Sequence, residues 1–159
     1  MLINNSGESL EERWQSIDDE QPTSEGNITI SVTRWLREKE NLLSHKGKIG
    51  LRIQGDTAIE ALEDDLNHFE LVVLEFPKYT DGRNFSLARI LRKRFHFSGE
   101  LRASGDILAD QLFYLKRVGV DSFDLDEERI PFAKQSLNEL SVRYQTSSDI
   151  DTTIFQRRG

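Results

Sequence analysis

EFPKYTDGRNFSLARILRKRFHFSGELRASGD, residues 75–106, is the stretch on which the reading of the fold turns. It opens on the end of an apolar run, 71–76 (LVVLEF), suited to a central strand buried on both faces. It closes on a second strand pattern at 100–103 (ELRA). Between them lie a glycine-bearing loop and an amphipathic pattern over 86–95, where Leu87, Ile90 and Leu91 form one apolar stripe. Strand, helix and strand in this order read as a crossover unit with parallel strands.

Working outward, the same unit recurs. Strand patterns at 28–32, 49–53 and 122–125 alternate with helical patterns at 33–43, 57–67, 106–118 and 131–144. Five strand–helix units in succession predict a single α/β domain over 27–144. The expected architecture is three-layered, with a mostly parallel, doubly wound sheet of flavodoxin- or Rossmann-like order. Residues 1–26 read as a polar arm with a short helical pattern at 9–15, and 145–159 as a polar tail. Trp14, alone among polar neighbours, predicts that the arm folds back onto the domain. Leu51-Arg52-x-x-Gly55-Asp56 recurs as Leu101-Arg102-x-x-Gly105-Asp106, and each Asp is expected to cap the helix that follows.

The chain has 159 residues, one domain's length, and no apolar run long enough for a membrane span. With no basic–apolar leader pattern at its start either, it reads as cytoplasmic. The absence of cysteine removes thiol redox chemistry, disulfides, thiolate zinc sites and protein-ligated iron–sulfur clusters. The three histidines have no metal-ligand spacing, so no bound metal is expected. The net charge of −7 argues against nucleic acid as a partner. The charge is unevenly placed. From Lys78 to Arg102 seven cations face two anions, a net of +5, which leaves −12 on the remainder.

Ligands of open parallel sheets bind beyond the carboxyl ends of the strands. The residues there that could hold a small anion are Lys78, Thr80, Asp81, Gly82, Arg83 and Ser86 of the long loop, with Arg102, Ser104 and Asp106 of the next strand end. The plain alternative is structural: Asp81-Gly82 as a turn, and Arg102 paired with Glu75 or Asp106. Arg89, Arg92 and Lys93 share a helix face at i, i+3 and i+4, either a solvated face or a docking surface for an acidic partner. Neither GxGxxG nor GxxxxGK[ST] is present, so a flavin or nicotinamide nucleotide has no motif to support it. Glu75, ending the central strand, is a lone candidate base.

Phe76-Pro77, Tyr79-Thr80-Asp81-Gly82-Arg83, Phe85-Ser86, Ala88-Arg89, Leu91-Arg92, Gly99-Glu100-Leu101-Arg102-Ala103, Gly105-Asp106 and Asp110-Gln111 form a long pattern. It resembles a bacterial family known as domain of unknown function 934. An aromatic tyrosine is more usual there where this chain has His96-Phe97. The resemblance implies a protein often labelled a probable oxidoreductase and associated with reductive sulfate assimilation, beside sulfite reductase. It therefore implies an accessory protein of sulfite reduction that binds the reductase or its electron donor. A small flavin- or nucleotide-binding oxidoreductase and an anion-sensing module are the other readings.

Overall fold

A computed structural model describes residues 1–77 and 83–138. The strands are β1 (Leu2–Asn4), β2 (Gln15–Ser16), β3 (Ile28–Ser31), β4 (Ile49–Ile53), β5 (Leu71–Phe76), β6 (Glu100–Gly105) and β7 (Ser122–Asp124). Helix α1 (Val32–Leu43) follows β3, a 3-10 helix (Ile59–His68) follows β4, and α2 (Arg83–Arg89) follows β5. Helix α2 runs into a π-helical turn (Ile90–Arg94), and α3 (Ala109–Val118) joins β6 to β7. A short 3-10 turn (Glu127–Arg129) leads into helix α4 at residues 130–138, where the described residues end. None of the helices among the described residues is long and apolar enough to cross a membrane.

The fold is mixed α/β, as the alternation predicts, but the winding differs. The strand order is β1-β7-β6-β5-β4-β3-β2, parallel from β2 to β7, with β1 antiparallel to β7. From β3 to β7 each strand lies beside its predecessor, so the order never reverses. Right-handed crossovers that all step in one direction place their helices on one face. The doubly wound, flavodoxin-like order and its third layer are therefore corrected to a singly wound sheet. Periodicity reports which face a residue occupies and is silent on which strand is its neighbour.

The two faces separate by residue parity. Ile28, Ile30, Leu51, Ile53, Val72, Leu74, Phe76, Leu101, Ala103 and Phe123 share one apolar core with Trp35, Leu62, Leu87 and Leu112 of the helices. The alternate residues, Thr29, Arg52, Val73, Glu100, Arg102 and Ser122, face the other way. Leu2, Leu71 and Val73 are buried yet lie outside that core.

The polar arm is part of the sheet. It supplies both edge strands, β1 and β2, and the helical pattern at 9–15 is not realised. Its intervening segment also sets the curvature. The Leu10 amide donates to Leu2 O beyond one edge, and the Gln15 amide donates to Asn27 O near the other. Across a flat sheet these points would stand about 34 Å apart, seven strand spacings. Five residues of extended chain reach only about 18 Å. The sheet must curl, helices outside, with the arm as a chord across its concave face. Trp14 is half-buried on this chord, consistent with an arm that folds back.

Helix α1 is tied to the 3-10 helix by one buried carboxylate. Asp65 accepts from Trp35 Nε1 at 3.1 Å and from Lys39 Nζ at 2.6 Å. Desolvation pushes the Asp65 carboxyl upward, but the hydrogen bonds from Lys39 and Trp35 outweigh it and hold the group below its ordinary value. A depressed folded-state pKa contributes stability that is present above the unfolded value. That stability is lost as pH falls through the folded one. Asp65→Asn should cost about 1–3 kcal/mol at neutral pH, read by denaturant unfolding. The difference from the parent protein should shrink as pH falls below about 4.

Candidate functional site

The two arginines of the internal echo occupy one row of the concave face. Cα register pairs Ser31 with Arg52, Arg52 with Val73, Val73 with Arg102, and Arg102 with Ser122. Arg52 and Arg102 thus flank Val73, two strand spacings or about 10 Å apart at the backbone. Arg52 donates to neutral oxygens only, Thr29 O at 2.5 Å, Thr29 Oγ1 at 2.9 Å and Ile17 O at 2.9 Å, and so holds the arm against β3.

Arg102, 5% exposed, carries the denser network. Its Nη2 donates to Glu100 Oε2 at 3.0 Å, and its Nη1 to Glu12 Oε1 and Oε2 at 3.2 and 3.1 Å. Nε lies 3.3 Å from both Glu100 Oε2 and Ser122 Oγ, and the Ser122 hydroxyl donates to the same carboxylate oxygen at 2.7 Å. One guanidinium is shared by two carboxylates, one fixed on its own strand and one carried by the arm. The expected partners Glu75 and Asp106 are replaced by Glu100 and Glu12. Asp106 is instead paired with Arg129 at 2.5 Å.

Neither Gly-Asp pair caps a helix. The residue before α3 is Leu108, two residues beyond the expected cap Asp106, and its amide donates to Gln111 Oε1 at 2.8 Å. After Asp56 the helix begins at Ile59, again without an Asp cap. The glycines carry more of the motif's meaning. Gly105 has φ +118°, and a Cβ there would lie 2.2 Å from Phe76 O.

Among the described residues, the members of the expected anion cluster do not come together as one site. Lys78, Thr80, Asp81 and Gly82 lie outside the described residues. Arg83 and Ser86 are exposed on α2, in the helical layer. Arg102 belongs to the opposite face, and Ser104 shares that face in register with Glu75 and Asp124. Arg83 and Arg102 do not converge. A cavity of about 360 Å³ opens at the other end of the sheet, lined by Glu63, Asp64, Asn67, Glu70, His96 and Gly99 among others, and none of the expected site residues borders it. Among the described residues no group of three His, Cys, Asp or Glu side chains could hold a metal.

The cationic trio also divides. Arg92 is half-buried and spends its guanidinium inward: Nε to Gly119 O at 3.0 Å, Nη1 to Phe97 O at 2.7 Å and Gly99 O at 2.8 Å, Nη2 to Asp121 Oδ2 at 2.6 Å. Asp121 closes the clamp by accepting the Leu101 amide at 3.0 Å. Arg92 is thus an internal brace, not a docking residue. Arg89 and Lys93 remain exposed, one turn apart, and neither makes an ion pair with another of the described residues. Neighbouring Arg94, also exposed, pairs with Glu60 at 3.6 Å and lies over the Phe95 ring.

Glu12, Glu100, Asp121 and Arg52 are the functional candidates that the sequence did not single out. Arg52 carried a signal, since the echo aligned it with Arg102. Glu12 and Asp121 carried none, because their roles come from contacts made 90 and 29 residues away in the chain.

No curated protein matches the sequence. The family model described as bacterial protein of unknown function (DUF934) matches residues 50–155, two thirds of the chain. The chain belongs to that family.

Proposed function

With membership of that family as the premise, we propose that this protein is an accessory of assimilatory sulfite reduction, working by binding sulfite reductase or its electron donor. The reading draws on the resemblance to proteins associated with sulfate assimilation and on a cysteine-free chain with no nucleotide-binding fingerprint. Electrons that pass through such a complex belong to the partner's centres.

The observation that carries the binding mode is the exposed pair Arg89 and Lys93. Among the described residues they have no carboxylate partner, on a chain of net charge −7. Exposed cations of this kind add little to stability and are suited to steering and registering an acidic surface. The double reversal Arg89→Glu/Lys93→Glu should fold with unchanged thermal stability and bind the partner at least tenfold more weakly in a pull-down or by biolayer interferometry. The loss should be smaller at high salt, where the parent interaction is itself screened. Undiminished binding by the double variant would remove this surface from the account. Arg92 is left intact in the test because its replacement damages the fold.

A further inference from the structure

We propose that the concave face of the sheet holds a carboxylate-binding seat at Arg102, and that Glu12 of the arm fills it as a displaceable internal ligand. This stands apart from the partner surface on α2, because it uses the opposite face and different residues.

Three features carry it. Arg102 is held in place from one side by Glu100 and Ser122, neighbours on its own and the adjacent strand, so its orientation does not depend on the arm. Its remaining nitrogen, Nη1, faces Glu12 and lies within hydrogen-bond distance of both carboxylate oxygens, a charge-assisted contact open to any carboxylate that takes the place of Glu12. Glu100 already balances the arginine, so the second carboxylate is held by two hydrogen bonds and residual field rather than by an unpaired buried charge.

The third feature is how lightly Glu12 is tethered. The segment 10–14 has no regular structure, and Glu11, Glu12 and Arg13 are exposed. Among the described residues, the pairing of Glu12 with Arg102 is the only hydrogen bond or ion pair that links residues 11–14 to the rest of the chain. The anchors lie outside it, at Leu10 on one side and Gln15 on the other. Glu12 is an intramolecular ligand of this seat, so an external carboxylate displaces it only where that molecule brings further contacts of its own. Arg52, in the same row and bound only to neutral oxygens, adds positive potential to whatever lies beneath the arm.

The test uses Glu12→Ala in the full chain, with sodium acetate as the probe and sodium chloride at matched ionic strength as the reference. Removing an exposed side chain leaves the fold intact and empties the seat. Acetate at about 0.3 M should then raise the melting temperature of E12A by about 2–3 °C over chloride. That is the shift mass action gives when the ligand exceeds its Kd about threefold. The parent protein, its seat occupied, should show less than 1 °C. Trypsin cleavage after Arg13 should be several-fold faster in E12A and stay fast in acetate, because acetate fills the seat without retying the arm. Equal acetate shifts in both proteins, or no shift in either, would overturn the seat. An Arg13 cleavage rate unchanged in E12A would overturn the role of Glu12 as the tether.

Discussion

Replacing Arg92 with alanine is expected to destabilise the protein by about 3–5 kcal/mol and to lower its melting temperature by roughly 10 °C. The side chain joins four places at once: the π-turn that carries it, the residues between that turn and β6, the end of α3 at Gly119, and Asp121 at the entry to β7. Its removal takes the donor from three backbone carbonyls and leaves Asp121 with only the Leu101 amide, and unmet polar groups cost far more than a hydrogen bond is worth when made. Lysine cannot substitute, because one ammonium cannot fork toward acceptors spread over Phe97, Gly99, Gly119 and Asp121. Arg92→Lys should therefore recover less than half of the loss. Arg89→Ala, three residues earlier and exposed, should change stability by under about 0.5 kcal/mol. Denaturant unfolding of the three variants reads the comparison directly, and equal effects at 89 and 92 would refute the brace.

The second large effect is expected at Gly105. Its φ of +118° is a conformation that side chains disfavour, and an added Cβ would sit 2.2 Å from the carbonyl oxygen of Phe76. That oxygen also accepts the Asp106 amide at 3.0 Å, so the carbonyl cannot swing aside without breaking the junction of β5 and β6. Strain and overpacking each contribute about 1–3 kcal/mol, and Gly105→Ala should lose about 3–5 kcal/mol or fail to accumulate as folded protein. At Gly55, the equivalent position of the echo, an added Cβ would meet the Asn84 side-chain oxygen at 2.7 Å, with no positive φ. Side chains yield where backbone does not, so Gly55→Ala should cost about 1 kcal/mol. Similar losses at the two positions would refute this distinction between the copies.

Much of the chain was legible before its structure. The runs at 28–32, 49–53, 71–76 and 122–125 each contain an observed parallel strand, 100–103 covers the first four residues of another, and α1 starts within one residue of its expected position. Three kinds of information were not. Edge strands of three and two residues, β1 and β2, are too short to show a period, so the arm read as an appendage. The winding depends on which strands are neighbours, which no single-strand pattern contains. The charged side chains were misassigned where backbone decides their fate. Arg92 looked equivalent to Arg89 and Lys93 on a helical wheel, but the helix loosens into a π-turn at Ile90 and the acceptors of Arg92 are mostly carbonyls, which every residue has. Arg102 was grouped with Arg83 at one end of the sheet, whereas it lies on the opposite face against Glu100 and Glu12. Alternation in ELRASG opposes it to Leu101 and so to the helices, which already separates it from Arg83 on α2.

The proposed place beside sulfite reduction is open to a direct test, the growth of a strain lacking this chain. With sulfate, sulfite or sulfide as sole sulfur source, that strain should fail on the first two and grow on sulfide. The parent gene should restore growth, and the Arg89→Glu/Lys93→Glu gene should do so poorly. Normal growth of the deletion strain on all three sources, with no second copy of the gene, would contradict it.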